Sequence, residues 1–231
     1  VEALKYIVVA FFFIQVFVDK IDAQDKVKFI EAGLGFSQPA GAFNAETIGL
    51  RFSGDIAYIK QLRPNQPLFW GLHSYYFTLG NRTGTFERPF DFVVQDFFYS
   101  TTSNVWGNNL LLRFYPDVYL GNIELFVEAH LGFKYLFTVT STRLDSSSDV
   151  SEYLSDSHSL SISYGATFGL QYPISNQWYV RGLLGYFPGI SASYYVRNND
   201  LPLVDSTIDG FDLRRGPTDV FRFSLGVTYR Y

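Results

Sequence analysis

The chain has 231 residues, 47% of them hydrophobic and 19% aromatic, yet its mean hydropathy is only +0.04. That mixture excludes a bundle of spanning helices, each of which needs about 20 consecutive apolar residues. It suits strands whose apolar and polar residues alternate and cancel in an average. A formal net charge of −4 excludes a broad attraction to nucleic acid, and the lack of cysteine excludes a disulfide framework or thiolate metal site.

At the N-terminus, Lys5 precedes an apolar run, Tyr6 to Val18, broken only by Gln15. A short polar stretch from Asp19 to Gln24 follows. This is the pattern of a secretory signal peptide, and the run is too short for a comfortable spanning helix. Residues 1–23 are therefore expected to be cleaved after Ala23, leaving a single domain over 24–231.

Eight segments with a period of two follow, near 27–38, 45–58, 67–80, 104–116, 123–139, 160–172, 177–195 and 221–231. In the first, Ile30, Ala32, Leu34 and Phe36 oppose Glu31, Gly33, Gly35 and Ser37. In the second, Ile48, Leu50, Phe52 and Ile56 oppose Gly49, Arg51, Ser53 and Asp55. The third is the least regular. In the fifth, Ile123, Leu125, Val127, Ala129, Leu131 and Phe133 oppose Glu124, Phe126, Glu128, His130, Gly132 and Lys134. The sixth and eighth repeat the pattern, for example Phe221, Phe223, Leu225 and Val227 against Arg222, Ser224, Gly226 and Thr228. Each segment has one apolar face and one small or charged face.

The connections alternate in length. Those after strands two, four and six are short and carry Pro: Ile59–Gln66, Pro116–Gly121 and Pro173–Gln177. Those after strands three, five and seven are long: Asn81–Ser103, Ser141–Ser157 and Val196–Thr218. Pro39–Asn44 is the short exception on that second rim. Tyr58, Trp70, Tyr115, Tyr119, Tyr172 and Trp178 flank the short turns, where an amphipathic ring suits a lipid–water boundary.

In hydrocarbon, only helices and closed sheets leave no backbone group unpaired. The expected fold is an all-β, eight-stranded antiparallel transmembrane β-barrel with short periplasmic turns and longer extracellular loops. Its even strand count brings both termini to the periplasmic side. Eight strands enclose an interior just wide enough for side chains. The acids Glu31, Asp55, Glu124 and Glu128 and the bases Arg51, Arg113, Lys134, Arg181 and Arg222 are expected inside, paired into an ionic plug because unpaired buried charge is costly. His130 is expected there beside Glu128 and Lys134.

The last strand ends Ser224, Gly226, Tyr229, Tyr231 at the spacing polar, Gly, aromatic, aromatic. This resembles the C-terminal assembly signal of outer-membrane barrels. The segment Ile123 to Tyr135 resembles the midsection of the small eight-stranded family that includes OmpA-type transmembrane domains, OmpX and OmpW. The Ala23–Gln24 junction and Tyr-rich strands look like the versions from Bacteroidota. The resemblance implies an integral protein of the bacterial outer membrane with a structural or surface-interaction role. It implies contact with outer-membrane lipids and lipopolysaccharide, and with the barrel-assembly machinery through the final strand. A peptidoglycan-binding domain is not expected. Its other implications are a narrow OmpW-like channel for small or hydrophobic solutes, or a lipid A-modifying enzyme.

Candidate chemistry is sparse. His158 adjoins Ser157 and Ser159, with Asp156 nearby, but strand neighbours point to opposite faces, so the adjacency makes no dyad. It reads as a rim residue. The acids Asp145, Asp149, Glu152 and Asp156, and Asp200, Asp205, Asp209 and Asp212, lack the spacing of a calcium loop. No catalytic residue, metal ligand or cofactor is expected. Residues 85–100 are very apolar for an exposed loop. They form a candidate site for an extracellular partner, or a place where strands project beyond the bilayer. Poor alternation and Pro89 favour a loop rather than two further strands.

The mature protein is expected to begin at Gln24. Intact mass and N-terminal sequencing of material extracted from the outer membrane check this; a retained apolar leader would refute it.

Overall fold

Side chains on an extended chain alternate between two sides, so a period-2 sequence becomes a sheet with an apolar face and a polar face. The computed structural model describes residues 26–46, 49–90, 93–143, 152–197 and 211–231. The expected signal peptide lies outside the described residues.

The elements are β1 (Lys28–Pro39), α1 (Gly41–Glu46), β2 (Arg51–Gln61), β3 (Leu68–Phe90), β4 (Val93–Phe114), β5 (Tyr119–Leu120), β6 (Ile123–Arg143), β7 (Glu152–Pro173), β8 (Trp178–Phe187), β9 (Ala192–Arg197), β10 (Phe211–Gly216) and β11 (Val220–Arg230). The sheet runs β4-β3-β2-β1-β11-β8-β7-β6, and β6 pairs back onto β4. Eight antiparallel strands therefore close into a ring. The seam joins the first strand to the last, from Phe29 opposite Arg230 to Pro39 opposite Val220. The short turns bend where Asn65 and Asp117 take positive φ, a conformation these residue types tolerate.

The faces sort as the alternation requires. Leu34 and Leu131 are each 60% exposed on the outside, while Glu31, Asp55, Glu128, Lys134 and Arg181 are buried within. On the outside, Trp70, Tyr119, Tyr172 and Trp178 mark the level of the short turns. At the other end Tyr76, Trp106 and Tyr135 are register neighbours, with Tyr164 and Tyr186 on β7 and β8. Eight residues separate Tyr164 from Tyr172 and Trp178 from Tyr186. At a rise of ~3.3 Å and a tilt of ~40°, that is roughly 20 Å along the barrel axis, with the rings at its limits. At the upper limit, polar side chains on the outer wall bond to one another. Tyr76 Oη donates to Asn104 Oδ1 at 2.6 Å, and Thr78 Oγ1 donates to the same atom at 3.1 Å.

Several boundaries depart from the sequence reading. Asn81–Ser103 is not a loop: β3 and β4 stay paired up to Phe90 opposite Val93, past a bulge between Thr78 and Gly80. Above the girdle the outer face no longer meets lipid and the inner face carries hydrogen-bonded hydroxyls such as Thr101 and Thr140, so Ser and Thr occupy both and the period-2 signal fades. For the same reason β6 and β7 continue to Thr142 opposite Glu152, shortening the expected loop 141–157. The seventh strand does not run to 195. Pro188 has no N–H for the ladder, and the chain turns inward there. The second strand starts at Arg51 rather than 45, and Pro39–Asn44 leads into α1, whose Phe43 is buried. Tyr115 leaves the expected girdle and turns into the lumen, where Arg113 Nη1 donates to its hydroxyl at 3.3 Å and the hydroxyl donates to Gln171 Oε1 at 3.1 Å.

A charge on the outer wall between the girdles should be expensive. Leu131→Arg is expected to destabilise the barrel by about 2–4 kcal/mol, and Thr83→Arg, above the upper girdle, by about 0.5 kcal/mol or less. Urea unfolding in lipid vesicles, followed by tryptophan fluorescence, checks both; equal effects would misplace the membrane.

Candidate functional site in the barrel lumen

The lumen is built in three layers. At the periplasmic end Phe29, Ile59, Phe69 and Leu111 pack together with Tyr115 against them. The Phe29 and Phe69 rings lie 5.5 Å apart, and Phe69 and Tyr115 meet edge to face at 5.3 Å.

The middle layer is ionic. Arg113, fully buried, projects from β4 between carboxylates of β1 and β6. Its Nη1 and Nη2 donate to the two oxygens of Glu31 at 2.7 and 2.8 Å. Its Nε and Nη2 donate to Glu128 Oε1 at 2.8 and 2.6 Å. The guanidinium also stacks on Phe126, 3.9 Å from the ring centre. Paired donors in a fixed fork are the strong form of this contact. Thr228 Oγ1 donates to Glu31 at 3.0 Å. Arg181 Nη2 donates to Asp55, and Arg181 Nε lies 3.4 Å from Glu31, close enough for attraction but out of line for a hydrogen bond. Asp55 also accepts from Ser224 Oγ and, at 3.4 Å, from Arg222 Nη2. Three carboxylates, Glu31, Asp55 and Glu128, thus face three guanidiniums, Arg113, Arg181 and Arg222.

Two imidazoles extend this layer. His130 Nε2 lies 3.1 Å from Glu128 Oε2 and 2.9 Å from Thr167 Oγ1. His73 Nε2 lies 3.3 Å from Arg222 Nη1 and 4.0 Å from Asp55 Oδ2. The two rings sit 5.3 Å apart. His130 was legible from its alternation and meets Glu128 as expected. Lys134 does not join it: its Nζ donates to the carbonyls of Phe187, at 2.7 Å, and Thr218. Glu124 accepts from Gln171 Nε2 at 2.6 Å, nearer the periplasmic end. Arg51 stands at the outer end of β2.

The top layer is apolar. Phe43, Tyr75, Phe77, Leu79, Val105, Leu136 and Tyr194 form one cluster, with Phe43 edge-on to Tyr194 at 4.7 Å. Tyr194 belongs to β9, which among the described residues pairs only with β10 and folds in over the mouth as a cover. Its base is docked from within. Lys134 ties both ends, and Ser161 Oγ donates to the Ile190 carbonyl at 2.7 Å. Asp219 Oδ1 accepts from Gly189 N at 3.1 Å. A Cβ on Gly189 would lie 2.1 Å from Thr218 Oγ1, so this close approach needs glycine.

Outside the lumen, His158 is exposed on β7, paired with Phe137. Its neighbour Ser159 points inward and accepts from Ser193 N at 3.2 Å. Asp212 pairs with Arg214 at 3.0 Å. Asp145, Asp149, Asp200, Asp205 and Asp209 lie outside the described residues. Among the described residues no metal-binding group of His, Asp and Glu converges.

Against solved structures, the chain is similar to a major outer membrane protein from Thermus thermophilus, with 15% identity over 90% of this chain and 100% of that one and a TM-score of 0.50. The fold is that of a small outer-membrane β-barrel. Neisserial surface protein A aligns over 88% of this chain and 97% of its own, at 12% identity and a TM-score of 0.48. Outer membrane protein W of E. coli aligns over 91% and 100%, at 16% identity and 0.39. Neither a protein-family model nor a curated protein matches the chain. An outer-membrane barrel is also what the wall chemistry demands: a closed ring with an apolar exterior and a charged interior.

Arg113→Ala would leave Glu31 and Glu128 enclosed without their shared cation. A loss of about 3–5 kcal/mol is expected, with Arg113→Lys intermediate because an ammonium cannot form the fork. Urea unfolding in vesicles measures it; an alanine variant as stable as wild type would show the triad to be solvated.

Proposed function

We propose that this outer-membrane barrel is a structural and surface-interaction protein whose lumen is closed rather than conducting. The observation that carries the reading is Arg113, held by Glu31 and Glu128 across the barrel and bridging three strands. A conduit would have to part those bonds and also lift the β9–β10 cover. We assign no reaction, cofactor or metal. The final strand β11 is read as the segment offered to the assembly machinery, since its pairing with β1 completes the ring. The tip of the β3–β4 hairpin, 85–100, is the candidate contact for an extracellular partner; most of its side chains lie outside the described residues.

One observation favours a narrow channel as the second reading. The cover is not part of the wall: among the described residues β9 and β10 pair only with each other, and the Tyr194–Phe43 contact is noncovalent.

In planar bilayers the wild-type protein is expected to show no steady conductance. A variant lacking 190–217 is expected to stay closed as well, because the ionic layer lies beneath the cover. Sustained wild-type current would sink the plug, and current only in the shortened variant would assign the closure to the cover alone.

A further inference from the structure

Between the girdles the outer wall is apolar on six of its eight strands. The outward positions of β1, β2, β6, β7, β8 and β11 there hold only Ala, Gly, Val, Leu, Ile and Phe. The two remaining strands are neighbours, and they break the pattern at one level. Ser74 on β3 and Asn108 on β4 are register partners, and Phe133 on β6 continues the row. This row lies on the membrane side of the girdle row Tyr76, Trp106 and Tyr135. Asn108 is two residues below Trp106, about 5 Å under the ring at the strand rise and tilt used above.

The polar side chains around Asn108 are satisfied. Trp106 Nε1 donates to Ser74 Oγ at 2.7 Å. Tyr76 and Thr78 donate to Asn104, whose Nδ2 donates to the Thr102 carbonyl at 3.2 Å. Asn108 stands apart: its half-exposed side chain makes no hydrogen bond to any described residue.

A primary amide carries two N–H donors and an acceptor oxygen, and hydrocarbon answers none of them. Lipid tails solvate apolar side chains as well as protein does. Association within a bilayer therefore rests on close packing and polar bonds, as between spanning helices. A polar side chain on a lipid-facing wall is costly and marks a contact. The geometric demand on a partner is narrow, since it must bring a donor and an acceptor to this depth. A second copy does so by construction. Both copies insert in the same sense, so their Asn108 side chains lie at one height. A two-fold axis along the membrane normal, passing beside β4, brings the two amides together. Each then donates to the other's oxygen, because an amide is its own complement. The surroundings suit the approach: Ser74 is small, and Leu72, Leu110 and Phe133 supply apolar packing about the pair.

We infer that the barrel forms a symmetric dimer in the membrane through the outer wall of β3 and β4, with the paired Asn108 amides at its centre. The inference goes beyond the structural role proposed above and needs only the barrel's seat in a membrane.

The chain has no cysteine, so single cysteines report the contact. Leu110→Cys lies beside Asn108 on the dimer face, and Leu225→Cys lies on β11, across the ring from β4. Each barrel is inserted into phosphatidylcholine vesicles at a high lipid-to-protein ratio and treated with a short bis-maleimide, and gel mobility reads the dimer. Leu110→Cys is expected to give several-fold more cross-linked dimer than Leu225→Cys. Adding Asn108→Leu to Leu110→Cys is expected to lower it to the Leu225→Cys level, since leucine suits lipid and leaves the barrel intact. Equal cross-linking at the two sites, or a Leu110→Cys dimer that persists with Asn108→Leu, would overturn the inference. Should the double variant fold poorly, heat-dependent mobility reveals it, and the two single cysteines still decide. Barrels that fail to insert at all would defeat the membrane placement, and the dimer with it.

Discussion

A backbone N–H or C=O facing hydrocarbon has no water to bond, and each one left unpaired costs several kcal/mol. The rest of this structure follows from that constraint. It makes the sheet close, so β11 must find β1, and it makes the outer wall apolar between the girdles. The charged side chains between the girdles, Glu31, Asp55, Arg113, Glu128 and Arg181 among them, are then confined to one narrow interior. Enclosed charges must neutralise one another, and three guanidiniums against three carboxylates is the arrangement that results.

Buried ion pairs of this kind are weak evidence for stability, because desolvation offsets much of the attraction. Their clearer consequence is register. Glu31 and Arg113 lie 82 residues apart in the chain and meet only if β1, β2, β3 and β4 are each paired in step. A slip of one residue would turn a whole strand over, placing an arginine in lipid and leaving a carboxylate alone inside. The ionic layer therefore penalises misregistered rings more than it stabilises the correct one. Aromatic layers pack at either end of it.

Where the wall leaves the membrane, the constraint lifts. Water can satisfy a free strand edge, so the sheet no longer has to be a ring. Only four of the eight strands continue upward, and β2 and β8 stop pairing near Ser53 and Tyr186. The remaining mouth is filled from inside by α1 and β9 rather than by the wall. Two solutions to the same problem thus share one molecule: closure by pairing in lipid, and closure by packing in water.

The strands that cross lipid were legible because an apolar face and a polar face cannot be exchanged there. Leu131 and Glu128, or Phe223 and Arg222, could be sorted on alternation alone, and with them the charged interior and His130. The third strand was hardest, since its inward residues Phe69, Tyr75 and Phe77 are as apolar as its outward ones; His73 beside Arg222 was missed for that reason. Above the girdle, hydroxyls on both faces erased the period, and paired strands read as loops. The inward turn at Pro188, the burial of Phe43 and Tyr194, the retreat of Tyr115 and the carbonyl-bound Lys134 depend on which distant groups meet across the lumen. Where inward residues are polar, local pattern alone determined which face of a strand meets lipid, because solvent acts on every residue separately. Which charge finds which partner was decided only by tertiary structure, because that requires all eight strands to be in place.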